Sequence, residues 1–351
     1  MTLTKKWQGL SSLTRSPKKW GIGGFVLGII CGGILISMWN SIQVAPHLHP
    51  VRESDIASSS AYMFTDPLIS VSSGNGNPAP EYVPLTQKVN LYIASQQKNG
   101  LTVASVSFRD ISSSDGFIIN PTTLYDPASL TKIPLAMAYY ALAQTDPSVL
   151  SQRITDSGIA DLDANEQIES PTQLTPGQSY TVEEMIEHML KYSDNNAEQL
   201  LANHLSQIGQ LSVLENLFAD LGIKNNPSPD NITVSVYSLF LRVLYNSTYL
   251  DRDYSEKLLK LLSEGDFTQG ISAGVPQGTI VAQKFGDARI ADTEGKQVGA
   301  ELQNCGIVYY PGHPYTLCVM TKGSNITVLE QTIAGISQIV YQDVSQKYPS
   351  S

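Results

Sequence analysis

Cysteine is scarce, with three residues in a chain of 351. That excludes a disulfide-dense scaffold and a cysteine-built zinc module, both of which need closely spaced sets. Histidine is nearly as rare, with five residues. Apart from His47 and His49 they form no ligand-like cluster, so neither a metal site nor another cofactor is expected. Charge is thin as well. Charged residues make up 15% of the chain and the net charge is −10. Such a balance excludes a nucleic-acid partner held by cationic contacts to phosphate. Apolar residues reach 42%, too many for a disordered chain. No internal repeat is visible.

The acidity is uneven. The first 20 residues hold Lys5, Lys6, Arg15, Lys18 and Lys19 and no acid. Directly after them runs Trp20 to Trp39, WGIGGFVLGIICGGILISMW, without a charge. At about 1.5 Å per residue this stretch crosses a hydrocarbon core of roughly 30 Å. Tryptophan at each end suits the two interfaces, and the preceding cations place the N-terminus in the cytoplasm. A cleaved signal peptide is the alternative, but its apolar region usually has about 7–15 residues, and no clear small-x-small site follows. The expected layout is a basic cytoplasmic tail at 1–19, a single-pass membrane anchor at 20–39 and an extracytoplasmic remainder at the cell membrane. Residues 40–84, rich in Ser, Pro, Gly and Asn, read as a flexible tether. Residues 85–351 then form the folded domain.

Within that domain a helix is expected near 86–98, then strands at 101–108 and 116–120. A mostly helical block spans about 128–265. Thr181-Val-Glu-Glu184 is a capping box ahead of Met185, Ile186, Met189 and Leu190. Strands return at 279–286, 305–310 and 315–320. A last helix covers 326–345, where Leu329, Ile333, Ile336, Val340 and Val344 recur at spacings of three and four. Five strands drawn from both ends of the chain predict an α+β fold (α/β in the broad sense). One antiparallel sheet is flanked by terminal helices, with an all-helical subdomain inserted. A turn centred between Pro311 and Gly312 makes Cys305 and Cys318 direct cross-strand neighbours. A disulfide and two buried thiols both fit that placement. Cys31 lies in the apolar span and reads as a packing residue.

Three short motifs carry chemistry. Ser129-Leu-Thr-Lys132 follows Asp126-Pro127-Ala128 and precedes a long apolar helical run. The spacing alone is weak, since Ser16 to Lys19 and Ser95 to Lys98 share it. Position decides: near a helix start, free N–H groups favour developing negative charge, and residues three apart share a face. A serine hydroxyl needs a base, and lysine serves when burial or another cation depresses its pKa. Ser193-Asp-Asn195 closes the helix begun at Thr181. There the Ser193 hydroxyl could relay a proton and the Asn195 amide could bind a carbonyl or peptide N–H. Lys284-Phe-Gly286 lies on a strand, where the lysine presents a cation to a carboxylate and the glycine lets substrate backbone approach. Lys98-Asn-Gly100 has the same form, so this motif too is weak alone.

In that order, and on those elements, the three motifs resemble the signature of class A β-lactamases and penicillin-binding proteins. The resemblance runs from about residue 86 to the C-terminus and includes YTVEEMIEHMLKYSDNNAEQLL. It implies that fold and a serine hydrolase that acylates on D-Ala-D-Ala-type peptides of peptidoglycan or on β-lactams. It further implies Ser129 as nucleophile, Lys132 as base and Ser193 as proton shuttle. Asn195 and Lys284 would be substrate ligands beside Gly286. The backbone N–H groups of Ser129 and Asp287 would form the oxyanion hole. Protein partners are not legible.

Two departures stand out. Class A β-lactamases carry a loop glutamate that activates the deacylating water, and no such element is found. Glu198 and Glu215 fall in helical segments, and Asp230 is the one acid in the shortened loop. Without a positioned base, deacylation loses about 10²–10⁴ in rate, so a β-lactam adduct is expected to persist. Phe285 replaces a hydroxyl residue and is expected either to build an apolar wall or to mark a decayed site. The other reading is therefore a non-catalytic cell-wall or β-lactam sensor that keeps the fold. The missing glutamate and Phe285 favour that reading, whereas the intact Ser129, Lys132, Ser193, Asn195 and Lys284 favour an enzyme.

Overall fold

The computed structural model describes residues 62–66, 78–156, 158, 167–168, 172–223 and 231–349. The basic tail, the apolar span 20–39 and Asp230 lie outside the described residues. Among the described residues no helix is long and apolar enough to cross a membrane.

A 3-10 turn, Pro80–Tyr82, leads into α1 (Val83–Gln97). Its Leu85, Val89 and Ile93 recur every four residues and are buried, which sets one face against the protein. Strands β1 (Leu101–Asp110) and β2 (Gly116–Ile119) then form a hairpin. Another 3-10 turn, Ala128–Thr131, feeds α2 (Lys132–Ala143). Nearly every side chain of α2 is buried, as expected of a helix apolar all round. Pro134 in its first turn removes no helical hydrogen bond. Strands β3 (Arg153–Thr155) and β4 (Ser179–Thr181) form a small antiparallel ribbon inside the block expected to be helical. Each has three residues, too few to show a two-residue period.

Helix α3 (Val182–Lys191) starts at the expected capping box. The Thr181 hydroxyl accepts the Glu184 N–H, and the Glu184 carboxylate accepts the Thr181 N–H at 2.7 Å. Helices α4 (Asn195–Gln207), α5 (Leu211–Asp220), α6 (Val234–Tyr245) and α7 (Arg252–Ser263) complete the helical region. Strands β5 (Val281–Ala291), β6 (Gln297–Val308) and β7 (Tyr315–Gly323) follow, and α8 (Ile326–Lys347) closes the domain.

The five long strands form one antiparallel sheet in the order β2-β1-β7-β6-β5. Both ends of the chain build it, as the pattern of elements predicts. The β5–β6 hairpin is longer than its apolar stretches imply. Its outer part is exposed, so it carries no burial signal. Its turn is held instead by Asp292, whose carboxylate accepts the N–H groups of Glu294 and Lys296.

One face of the sheet packs against α1 and α8 through Leu85, Val89, Leu329, Ile333, Ile336 and Val340. The other packs against the helical region, with α2 at its centre and Ala282, Cys305 and Met320 pointing at it. Cys305 faces Cys318 in the register, and the two form a disulfide. The disulfide is therefore the arrangement that holds.

Residues 62–66 fall in the stretch read as a tether, yet they are packed on the domain. Phe64 is buried edge-on to Tyr309. The Glu256 carboxylate on α7 accepts the N–H groups of Met63 and Phe64 and the Thr65 hydroxyl. Arg252 donates to the Thr65 carbonyl at 2.9 Å and lies over the Tyr62 ring. The small and polar residues around Tyr62-Met-Phe-Thr-Asp66 hid this, because five residues are too few to show a periodic pattern. Hydrogen bonds to a charged acceptor contribute about 1.5–3 kcal/mol each. Glu256→Ala should therefore lower the thermal midpoint and speed proteolytic cleavage near residues 62–66, as read by scanning fluorimetry and timed trypsin or chymotrypsin digestion.

Candidate active site

The nucleophile candidate sits on a braced turn. The Asp126 carboxylate accepts the Ala128 N–H at 2.8 Å. From β6, Glu301 accepts the Asp126 N–H at 3.0 Å and the Gln303 amide donates to the Asp126 carbonyl at 2.6 Å. Ala128 is driven to φ +44°, a conformation that costs a residue with a Cβ about 1–3 kcal/mol. Ser129 lies in the 3-10 turn just before α2 rather than in the α-helix itself. That refinement matters, because side chains three apart eclipse in a 3-10 turn. Lys132 thus lies directly over Ser129, with Nζ 2.5 Å from Oγ.

The Lys132 side chain has no solvent exposure. Its amine is satisfied by the Ser193 carbonyl at 2.8 Å and by Asn195 Oδ1 at 2.5 Å, with Ser193 Oγ at 3.3 Å. Ser193 lies in the joint between α3 and α4 at φ +59°. Asp194 caps α4 through the Ala197 N–H at 2.9 Å and also accepts the Leu174 N–H at 2.7 Å. Burial alone would raise the Asp194 carboxyl. The nearby His188 and those two N–H groups outweigh it and hold the carboxyl below the usual carboxylate range. The Ser-Asp-Asn motif is therefore a helix–joint–helix device. Asn195 is the first residue of α4 rather than part of the preceding helix.

Lys284 on β5 donates to Ser193 Oγ at 2.8 Å. The Ser193 hydroxyl consequently bridges two buried amines. Burial, and then the charge of Lys132, push the Lys284 ammonium well below the ordinary lysine range. Gly286 has a different task from the one expected. A Cβ there would meet the Pro127 carbonyl oxygen at 2.7 Å and the Ser129 nitrogen at 3.0 Å. The glycine admits the nucleophile's own turn against β5, where the sequence suggested an approaching substrate. Asp287 follows and accepts the Gln167 N–H at 3.3 Å. Ser129, Asn195, Glu198, Gln199 and Asp287 line one open cavity of about 420 Å³. A larger cavity of about 600 Å³, beside residues 62–66, holds none of these groups.

Phe285 does not wall this cavity. Its ring stacks on Phe267 at 4.2 Å and joins the core beneath α1 and α8. Glu198 is the residue that sequence reasoning passed over. Its Oε1 accepts the Thr131 hydroxyl at 2.6 Å, and its Oε2 lies 3.4 Å from Lys132 Nζ. The signal was available, since Glu198 is three residues beyond Asn195 and shares its helix face. Among the described residues no group of three or more His, Cys, Asp or Glu is placed to hold a metal ion.

Fold and site together define a serine hydrolase with a lysine held at its serine. Residues 84–344 match the family model described as the β-lactamase enzyme family, and the chain belongs to that family. Among solved structures the chain is similar to PBP-A, with 21% identity, TM-score 0.63 and coverage of 77% of this chain and 99% of that one. A PBP-A mutant solved as an acyl-enzyme complex with penicillin G gives 22%, 0.62, 77% and 98%. A β-lactamase from Chitinophaga pinensis gives 20%, 0.62, 74% and 99%. At such identities the likeness speaks for the fold. No curated protein matches the chain.

Two outcomes follow from this geometry. Gly286→Ala should displace the Ser129 turn, cost about 1–3 kcal/mol by overpacking, and slow modification of Ser129 while leaving the circular dichroism spectrum unchanged. Burial makes Lys284 lose its proton below the ordinary lysine value of about 10.4, and only the charged form attracts a carboxylate. Rates of penicillin modification at low concentration should therefore fall as pH rises, before that value is reached. Lys284→Arg, charged throughout, should remove the fall.

Proposed function

We propose that the protein is a membrane-anchored, extracytoplasmic acyl-transferase and hydrolase. It forms a Ser129 ester with D-Ala-D-Ala-type peptides or β-lactams and releases the acyl group slowly. The observation that carries the reading is the buried hydrogen-bonded chain Ser129–Lys132–Ser193–Lys284. In it Ser129 Oγ attacks the carbonyl and passes its proton to Lys132. Ser193 relays a proton towards the leaving nitrogen, and Lys284 meets the substrate carboxylate. Asn195 holds the substrate amide, and the N–H groups of Ser129 and Asp287 receive the oxyanion. Strand β5 is an edge of the sheet, so an extended substrate can lie along it.

The penicillin G acyl-enzyme of the PBP-A mutant supports a β-lactam as one ligand. Anchoring rests on the uncharged stretch 20–39 and places the domain beside a cell wall, where such peptides occur. Slow release rests on the absence of the family's loop glutamate from the sequence.

Intact-protein mass spectrometry tests the reading. Wild type incubated with penicillin G should gain one penicillin mass and hold it for many minutes, and Ser129→Ala should gain none. A folded wild type that never gains mass would sink the proposal. Rapid turnover of a chromogenic cephalosporin would sink its slow-release part.

A further inference from the structure

Glu198 lies in the first turn of α4 and opens on the same cavity as Ser129. Both carboxylate oxygens are engaged, Oε1 by the Thr131 hydroxyl and Oε2 by Lys132 at 3.4 Å. Among the described residues Glu198 is the one acid ion-paired with Lys132.

The neighbours of the Lys132 amine can be sorted by what they can do. An ammonium has three N–H donors and no lone pair. A neutral amine has two donors and one lone pair. The Ser193 carbonyl and Asn195 Oδ1 can only accept. The Ser129 hydroxyl, 2.5 Å away, accepts from the ammonium and can donate to the amine once a lone pair is free. Three acceptors therefore suit the ammonium. For Lys132 to act as base one proton must leave it, and Glu198 Oε2 is the carboxylate oxygen beside it.

The geometry points to Glu198 as the proton partner of Lys132, a positioning residue that takes the ammonium proton so that Lys132 can act as base during acylation. The inference rests on the proposed Ser129 acyl-enzyme. In the resting pair Lys132 is –NH3+ and Glu198 is –COO−. One proton passes from nitrogen to oxygen, which leaves –NH2 and –COOH. The Ser129 O–H bond then breaks, its proton joins the Lys132 lone pair, and Oγ bonds to the substrate carbonyl carbon. When the C–N bond breaks, the leaving nitrogen takes the Ser193 hydroxyl proton, and Ser193 takes one from Lys132. The acyl-enzyme is left with Lys132 neutral and Glu198 protonated.

The test is rapid-mixing kinetics of a fluorescent penicillin on the full-length protein. Glu198→Gln should lower the acylation rate at saturation by about ten- to a hundredfold. Half-saturation should stay within about twofold and the adduct lifetime should not change. Glu198→Asp, which restores a carboxylate, should recover part of the rate. Full-speed acylation in Glu198→Gln would overturn the inference. So would a change confined to adduct lifetime, which would make Glu198 the hydrolytic base. Weaker binding with an unchanged saturated rate would make its role structural and overturn the inference too. If wild type is never labelled, the Ser129 reading fails and takes this inference with it. A labelled wild type beside an unaffected variant removes Glu198 alone.

Discussion

An amine taken wholly out of water must find its partners in the protein, and Lys132 is such an amine. Its side chain has no exposure, and removing an ammonium from water costs several kcal/mol even after relaxation. The joint between α3 and α4 exists in this form to meet that demand. Ser193 adopts a left-handed backbone conformation, its carbonyl turns to the amine, and Asn195 enters from the first position of the next helix. Asp194 between them is buried and locks the joint by capping α4 and holding Leu174. Ser193 and Asn195 thus face one amine while Asp194 between them points away.

The sheet supplies the opposite wall. The Ser129 turn can approach β5 only where a side chain is missing, and Gly286 supplies that space. Glu301 and Gln303 on the neighbouring strand grip the main chain of Asp126. Lys284, one residue before Phe285, reaches the Ser193 hydroxyl, and its amine lies 4.4 Å from the centre of the phenylalanine ring, which stacks on Phe267. The phenylalanine therefore removes a hydroxyl from the strand without filling the cavity.

Other features stabilise the frame away from the chemistry. The Cys305–Cys318 bridge ties β6 to β7 in the middle of the sheet. The 62–66 segment grips α7 through one carboxylate and one guanidinium.

Much of this was legible in the order of residues. The capping box at Thr181, the spacing in α8, the paired cysteines and the element order all follow from local periodicity and turn chemistry, which act over a few residues. The family signature was legible for the same reason, since each motif is four residues or fewer. What the sequence could not determine was anything that depends on distant segments meeting. The short β3–β4 ribbon and the outer β5–β6 hairpin carry little burial pattern, and the docking of residues 62–66 depends on Arg252 and Glu256, far away in the chain. Gly286 makes room for a turn far from it in the chain, and Glu198 becomes part of the site because α4 delivers it to Lys132. Sequence alone determined which groups were available to react. Tertiary structure decided which of them meet in one cluster, because only the folded chain brings residues 132, 193, 198 and 284 within hydrogen-bonding and charge range.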